Sequence, residues 1–151
     1  MTAGRETRHL PVGPVTVEDD GGAIVRIAFG AAADQSPSPL TGLAFGQLAA
    51  YFAGQLREFD LPLAPCGTPF QRRVWAALRD IPYGETRSYG EIARAVGCPG
   101  GARAVGLANI RNPIAIVIPC HRVIGADGSL VGYGGGLDVK RALLRLEGMR
   151  I

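Results

Sequence analysis

Two helix-opening signatures, Thr68-Pro69-Phe70-Gln71 and Ser88-Tyr89-Gly90-Glu91, stand close together around the middle of the chain. In each, a hydroxyl side chain can cap the N–H three residues on, while Gln or Glu reaches back to the capping residue's own N–H. The first also carries proline at the opening helical position, where its missing N–H costs nothing. Each helix is stopped soon after it starts, the first at Ile81-Pro82-Tyr83-Gly84 and the second at Gly97. After Cys98-Pro99-Gly100-Gly101 a further helix is expected from Ala102 to about Asn109, with Asn112-Pro113 as its end. Two short helices joined by a Gly- and Pro-containing turn make a helix-turn-helix candidate. The small residues Ala102, Ala104, Gly106 and Ala108 let the second helix approach a surface closely, whether a DNA groove or the first helix.

The first half reads differently. Val15-Thr16-Val17 and Ala23 to Phe29 are strand-like, separated by the turn composition Glu18-Asp19-Asp20-Gly21-Gly22. A helix is expected from Ser38 as cap and Pro39 in its first turn, with an apolar stripe of Leu40, Leu43, Ala44, Leu48, Tyr51, Phe52 and Leu56. Leu61-Pro62-Leu63-Ala64-Pro65 reads as connecting chain. Towards the other end, the β-branched run Ile114 to Ile118 predicts a buried strand. Asp127-Gly128 predicts a tight turn, and Ser129-Leu130-Val131 a returning strand. A last helix is expected from Asp138 as N-cap to Glu147, closed by Gly148.

A chain of 151 residues fits one ordinary domain or two small ones, and 47% apolar content allows a packed core. The expected class is α+β: a small N-terminal α/β domain with an antiparallel sheet (1–63), a linker (64–67) and a mainly helical domain (68–151). Residues 1–67 hold four Arg against seven acids, a net of −3; residues 68–151 hold eleven Arg and one Lys against six acids, a net of +6. The C-terminal part is therefore the place for a polyanion, or else a solvated basic face. No apolar run is long enough to cross a bilayer, and Met1 to Glu6 carries no apolar stretch of signal-peptide type. A cytoplasmic protein is expected. Its three cysteines, Cys66, Cys98 and Cys120, have no disulfide-framework spacing and should be free thiols there.

Cys120 and His121, directly after the apolar run, are chemically suggestive, because a thiol becomes a strong nucleophile only as thiolate and a nearby base promotes that form. A bare Cys-His pair is more often a small buried thiol beside an unrelated histidine, since free cysteine is among the most buried residue types. The only other histidine, His9, lies near a terminus, and Cys66 and Cys98 make no ligand pair, so no structural metal is expected.

Pro119-Cys120-His121-Arg122-Val123, with Asn112-Pro113 and Ile114 to Ile118 before it, resembles the signature of O6-alkylguanine-DNA alkyltransferases. Arg103-Ala104-Val105-Gly106 is similar to that family's recognition-helix motif. Tyr83-Gly84-Glu85-Thr86-Arg87-Ser88-Tyr89 is similar to its approach to the helix-turn-helix. Gly132-Tyr133-Gly134-Gly135-Gly136-Leu137 and Leu143-Leu144-Arg145-Leu146-Glu147-Gly148 resemble its closing loop and helix. The resemblance covers roughly residues 68–148, with the motifs in order.

It implies a protein that takes an alkyl group from O6 of guanine in double-stranded DNA, once and irreversibly, without a cofactor. Cys120 would be the acceptor, His121 a base acting through water, and Glu147 the carboxylate orienting the imidazole. Tyr89 would press on the phosphate behind the target base and donate a hydrogen bond to the departing guanine. Arg103 would fill the gap left by the flipped nucleotide. Ala102 and Gly106 would lie against DNA, and Asn112 would brace the turn between recognition helix and active site. Val123, Tyr133 and Gly134 would line the guanine pocket; Gly134 stands where some relatives have Ser, but its backbone N–H remains. Ile110-Arg111 also departs from the family pattern. A monomer on DNA is implied, with several copies along one duplex left open. Three other readings compete: a relative that binds alkylguanine without reacting, which lacks the acceptor cysteine; a transcription factor, poorly served by an apolar, glycine-containing recognition helix; and a cysteine hydrolase built on Cys120, His121 and Glu147.

Overall fold

The computed structural model describes residues 3–151. The architecture is α+β, and the chain divides into two compact units, Met1–Cys66 and Gly67–Ile151.

In the first unit, β1 (Arg5–Leu10), β2 (Gly13–Asp19) and β3 (Ile24–Phe29) form an antiparallel sheet in that order. The central strand β2 pairs Val15 with Arg8 and Phe29, and Val17 with Glu6 and Ile27. Val15, Val17, Ile24 and Ile27 are buried. Strand β1 escapes the sequence pattern: Arg5-Glu6-Thr7-Arg8-His9-Leu10 is mostly polar, and an edge strand needs only one neighbour's hydrogen bonds. The turn after β2 is closed by Asp20 Oδ1, which accepts from the N–H groups of Gly22 and Ala23 at 2.9 and 2.8 Å.

Helix α1 (Pro39–Phe52) opens at Ser38 with a capping box completed by Thr41. Its buried face is Thr41, Ala44, Phe45, Leu48 and Tyr51. The expected stripe is thus corrected: Leu43 is 50% exposed and Leu56 lies beyond the helix. The polar Thr41 goes inside because its hydroxyl donates to Glu6 Oε1 at 2.8 Å, which offsets its desolvation. The Leu61–Pro65 stretch is not free chain either. Ile24 N–H donates to Pro62 O at 2.8 Å and Ala64 N–H to Ile24 O at 2.9 Å, making a parallel bridge between Ile24 and Leu63.

The second unit holds α2 (Pro69–Arg79), α3 (Tyr89–Ala95), α4 (Ala102–Ile110) and α5 (Leu137–Leu146). Both expected capping boxes, on Thr68 and Ser88, are formed. α4 packs on α2 and α3, and Trp75 of α2, buried, donates its indole N–H to Ala108 O at 2.8 Å. Two short strands, β4 (Arg87–Ser88) and β5 (Val123–Ile124), pair in parallel. Among the described residues no helix is long and apolar enough to cross a membrane.

Three expectations fail here. Ile114 to Ile118 is buried throughout but is not a strand. Its N–H groups bond locally: Val117 to Ala115 O at 2.8 Å and Ile118 to Ile114 O at 3.0 Å. Ile116 sits at φ 72, inside the first of these turns, a left-handed conformation that β-branched residues rarely adopt. The apolar run reported burial, and the local hydrogen bonds decided conformation. Ser129 to Val131 is likewise not a strand; Gly125 N–H bonds Ser129 O at 2.8 Å around the Asp127-Gly128 turn, and the chain then leaves the pairing. Finally, α5 starts earlier than expected, with Gly136 (φ 93) at its cap and an exposed Asp138 in its first turn.

Candidate active site

Cys120 opens a single 3-10 turn, Cys120–Arg122, reached through a second tight turn. Pro119 at φ −81, ψ 64 lets Cys120 N–H donate back to Ile118 O at 2.8 Å, the geometry of an inverse γ-turn. Asn112 fastens the same carbonyl, its Nδ2 donating to Ile118 O at 2.8 Å while its Oδ1 accepts from Ile114 N–H at 3.0 Å. One amide therefore braces both ends of the irregular apolar segment. Asn109, buried on α4, donates from Nδ2 to Cys120 O at 3.3 Å. Immediately afterwards, β5 pairs with β4, and β4 leads straight into Tyr89 at the start of α3. That pairing ties the cysteine segment to the helix-turn-helix.

His121 is fully buried, and its Nε2 lies 2.7 Å from Glu147 Oε2. A carboxylate only accepts, so Nε2 carries the proton and Nδ1 the lone pair. Nδ1 is buried and has no hydrogen-bond partner among the described residues. Arg122 clamps the same carboxylate, Nε to Oε1 at 2.8 Å and Nη2 to Oε2 at 3.1 Å, and its Nη1 donates to Ile81 O at 2.7 Å. Gly84 N–H also approaches Oε1, at 3.3 Å. Gly84 has φ 80, and a Cβ there would come within 3.2 Å of the Glu147 carbonyl oxygen, so glycine suits this contact.

Lys140, the sole lysine of the chain, is buried. Its ammonium donates to Val123 O at 2.6 Å and to Val131 O at 2.9 Å. The hydroxyl of half-buried Tyr89 also donates to Val131 O, at 3.1 Å. Burial pushes the Cys120 thiol above its ordinary range, opposed by Asn112, the Lys140 charge and Tyr133. Burial holds His121 below its ordinary value, against the pull of Glu147, with Arg122 and Lys140 adding to the depression. Burial, then the Cys120 charge, raises Tyr89. The site can thus offer a thiol nucleophile, a neutral imidazole with a fixed tautomer, and two buried cations that favour negative charge nearby.

Among the sequence-derived candidates, Cys120, His121, Glu147, Asn112, Val123 and Tyr133 come together here. Gly134 is exposed in the loop before α5. Tyr89, Ala102, Arg103 and Gly106 line an open cavity of about 490 Å³ beside Val131. Arg103 and Ala104 face solvent, whereas Val105 and Ala108 pack inside, so the small residues of α4 serve both surfaces. Gly106 lies against the Tyr89 ring, its Cβ position 3.9 Å away. Sequence reading missed Arg122, Lys140 and Asn109. For Lys140 a signal existed: it shares the α5 face of Leu143 and Leu144, and a lone cation in an apolar stripe is rarely idle. Among the described residues no group of three or more His, Cys, Asp or Glu side chains is placed to hold a metal ion.

Comparison with known proteins agrees with this layout. Residues 69–149 match the model of the 6-O-methylguanine DNA methyltransferase DNA binding domain, and residues 5–65 that of the same family's ribonuclease-like domain. A methylated-DNA--protein-cysteine methyltransferase of Mycobacterium leprae is 56% identical over 147 residues, covering 91% of this chain and 87% of that protein. The crystal structure of Mycobacterium tuberculosis O6-methylguanine methyltransferase superposes with a TM-score of 0.89 at 52% identity, over 99% of this chain and 94% of that one. A crystal structure of the Mycobacterium tuberculosis OGT in complex with DNA gives 0.88 at 55% identity, over 95% and 91%. With both of its units matched in order, this chain belongs to the 6-O-methylguanine DNA methyltransferase family.

Proposed function

We propose that this chain repairs double-stranded DNA by taking the alkyl group of O6-alkylguanine onto Cys120, once per molecule. The observation that carries the reading is the buried Cys120–His121–Glu147 arrangement, whose oriented Nδ1 has no hydrogen-bond partner among the described residues, on the unit that holds the helix-turn-helix. The names of the relatives above, and the relative solved with DNA, support it.

On this reading the Cys120 proton passes to His121 Nδ1 through a water. The thiolate attacks the alkyl carbon, the S–C bond forms and the C–O6 bond breaks, and its electron pair stays on the guanine. The Tyr89 hydroxyl neutralises that developing charge. Glu147 holds the imidazole, Asn112 holds the cysteine turn, and Val123, Tyr133 and Gly134 receive the base. The base must leave the stack to be reached, and Arg103 fills the space, with Ala102 and Gly106 against the minor groove. The thioether product has no route back, so the protein is consumed. It works as a monomer in the cytosol, where its thiols stay free.

Mass spectrometry after incubation with duplex DNA containing O6-methylguanine tests this. One methyl group on the Cys120 peptide, and no second event, is expected. Repeated turnover, methyl on Cys66 or Cys98, or hydrolysis of an ester substrate would overturn it.

A further inference from the structure

The charges buried around Cys120 do not balance until the thiol ionises. Asn112, Lys140 of α5, Tyr133 of the loop before α5 and Tyr89 of α3 act on Cys120 itself, while Glu147, Arg122 and Lys140 act on its neighbour His121. The Glu147 carboxylate is met on both oxygens by Arg122, so that pair is neutral together. His121 already uses its one N–H on the same carboxylate. Lys140 is left over. Its two acceptors are carbonyl oxygens, and among the described residues no ion pair ties it to a carboxylate. Carbonyl dipoles satisfy an ammonium's hydrogen bonds but do not cancel its charge, and a buried unpaired charge is costly.

We infer that Lys140 is the counter-ion of the Cys120 thiolate, a positioning residue that favours ionisation of the nucleophile while strapping Val123 to Val131. This deepens, and rests on, the assignment of Cys120 as acceptor. The electrostatics run the same way from both sides: burial draws Lys140 down to about 8 while the Cys120 charge opposes that fall, and the Lys140 charge opposes the rise of Cys120. A consequence is specific to this pairing. Transfer turns the thiolate into a neutral thioether, so Lys140 loses its counter-charge in the spent protein and should release its proton more readily.

Iodoacetamide labelling of Cys120, followed peptide by peptide across pH, needs no DNA and so separates this inference from the repair reaction. Lys140→Met is expected to raise the pH midpoint of labelling by about one unit or more, some ten-fold in rate near neutrality, with the high-pH plateau retained. Lys140→Arg should keep the midpoint near that of the unchanged protein. A fall in plateau with no change in midpoint would mean that Lys140 is only a strap, and would overturn the inference. If Lys140→Met does not fold, the unsubstituted protein still decides. Lysine-selective isotope labelling gives one side-chain NMR signal, and its titration should move to lower pH once Cys120 is capped with iodoacetamide. An unmoved titration overturns the inference. A midpoint shift in a protein that takes no methyl group from DNA would leave it standing while removing the repair function.

Discussion

The Tyr89 hydroxyl and the Lys140 ammonium converge on one acceptor, the carbonyl oxygen of Val131, at 3.1 and 2.9 Å. A carbonyl has two lone pairs, so both donors are satisfied at once. The first residue of α3 and the middle of α5 thereby hold the loop that runs from β5 to α5, and the open cavity beside Val131 borders the same tyrosine.

Tyr89→Phe keeps the ring that packs against Gly106 and removes only the donor. If the hydroxyl neutralises departing guanine, single-turnover transfer should slow by about 10²-fold, within the range of general acid catalysis. The loss should be similar for methylated duplex and for free O6-benzylguanine, with DNA affinity unchanged in a titration. A rate equal to the parent's would remove Tyr89 from the chemistry.

Arg122 makes a sharper claim on stability than on rate. Its guanidinium is buried with Glu147 and bonds both carboxylate oxygens. Arg122→Met takes the guanidinium away from both carboxylate oxygens, and breaking one side of a buried pair typically costs about 3–5 kcal/mol. Denaturant unfolding should report a loss of that order. The double variant Arg122→Met, Glu147→Gln should lose less than the two single variants together, because the stranded charge is gone.

What was readable beforehand follows from how local each determinant is. The helix starts at Ser38, Thr68 and Ser88 were legible because a cap is chemistry within four residues. The burial of Ile114 to Ile118 was legible from composition, but its turns were not: they depend on Asn112 reaching Ile118 O and on Ile116 being held at positive φ. β4 and β5 are two residues each and carry no periodicity to read. His121 and Glu147 were found through motif resemblance, and they meet at 2.7 Å. Lys140 was missed because lysine ordinarily reports surface, and only the folded chain supplies the two carbonyls that allow it inside.

His121 predicts an acid sensitivity with a definite sign. Its folded-state value lies below the ordinary 6.5 because burial disfavours the charged ring. As pH falls through 6.5 the unfolded chain takes up a proton that the folded chain refuses, so stability is intact above that pH and declines below it. The slope can reach about 1.4 kcal/mol per pH unit for one proton. Unfolding free energies measured between pH 7 and about 5, above the usual carboxylate range, should show it. His121→Gln, which can still donate to Glu147, should flatten the profile while slowing alkyl transfer. An unchanged pH profile would mean that folding does not lower the proton affinity of this ring.

Arg103 separates base flipping from the alkyl-transfer step. It is exposed on α4, on the rim of the cavity bordered by Tyr89 and Gly106. If it fills the hole left by an extruded nucleotide, its value lies wholly in the duplex. A free base such as O6-benzylguanine is already unstacked and gains nothing from it. Arg103→Ala should therefore slow repair of duplex DNA by the equivalent of about 1–3 kcal/mol, comparable to one stacking contact with a base. Reaction with the free base should stay almost intact. Arg103→Lys should restore attraction to phosphate but only part of the stacking, since the ammonium lacks the planar guanidinium face. Misfolding would impair both substrates together, so the comparison carries its own control. Equal losses on duplex and free base would show that Arg103 supports the site or the fold, and that some other group holds the duplex open.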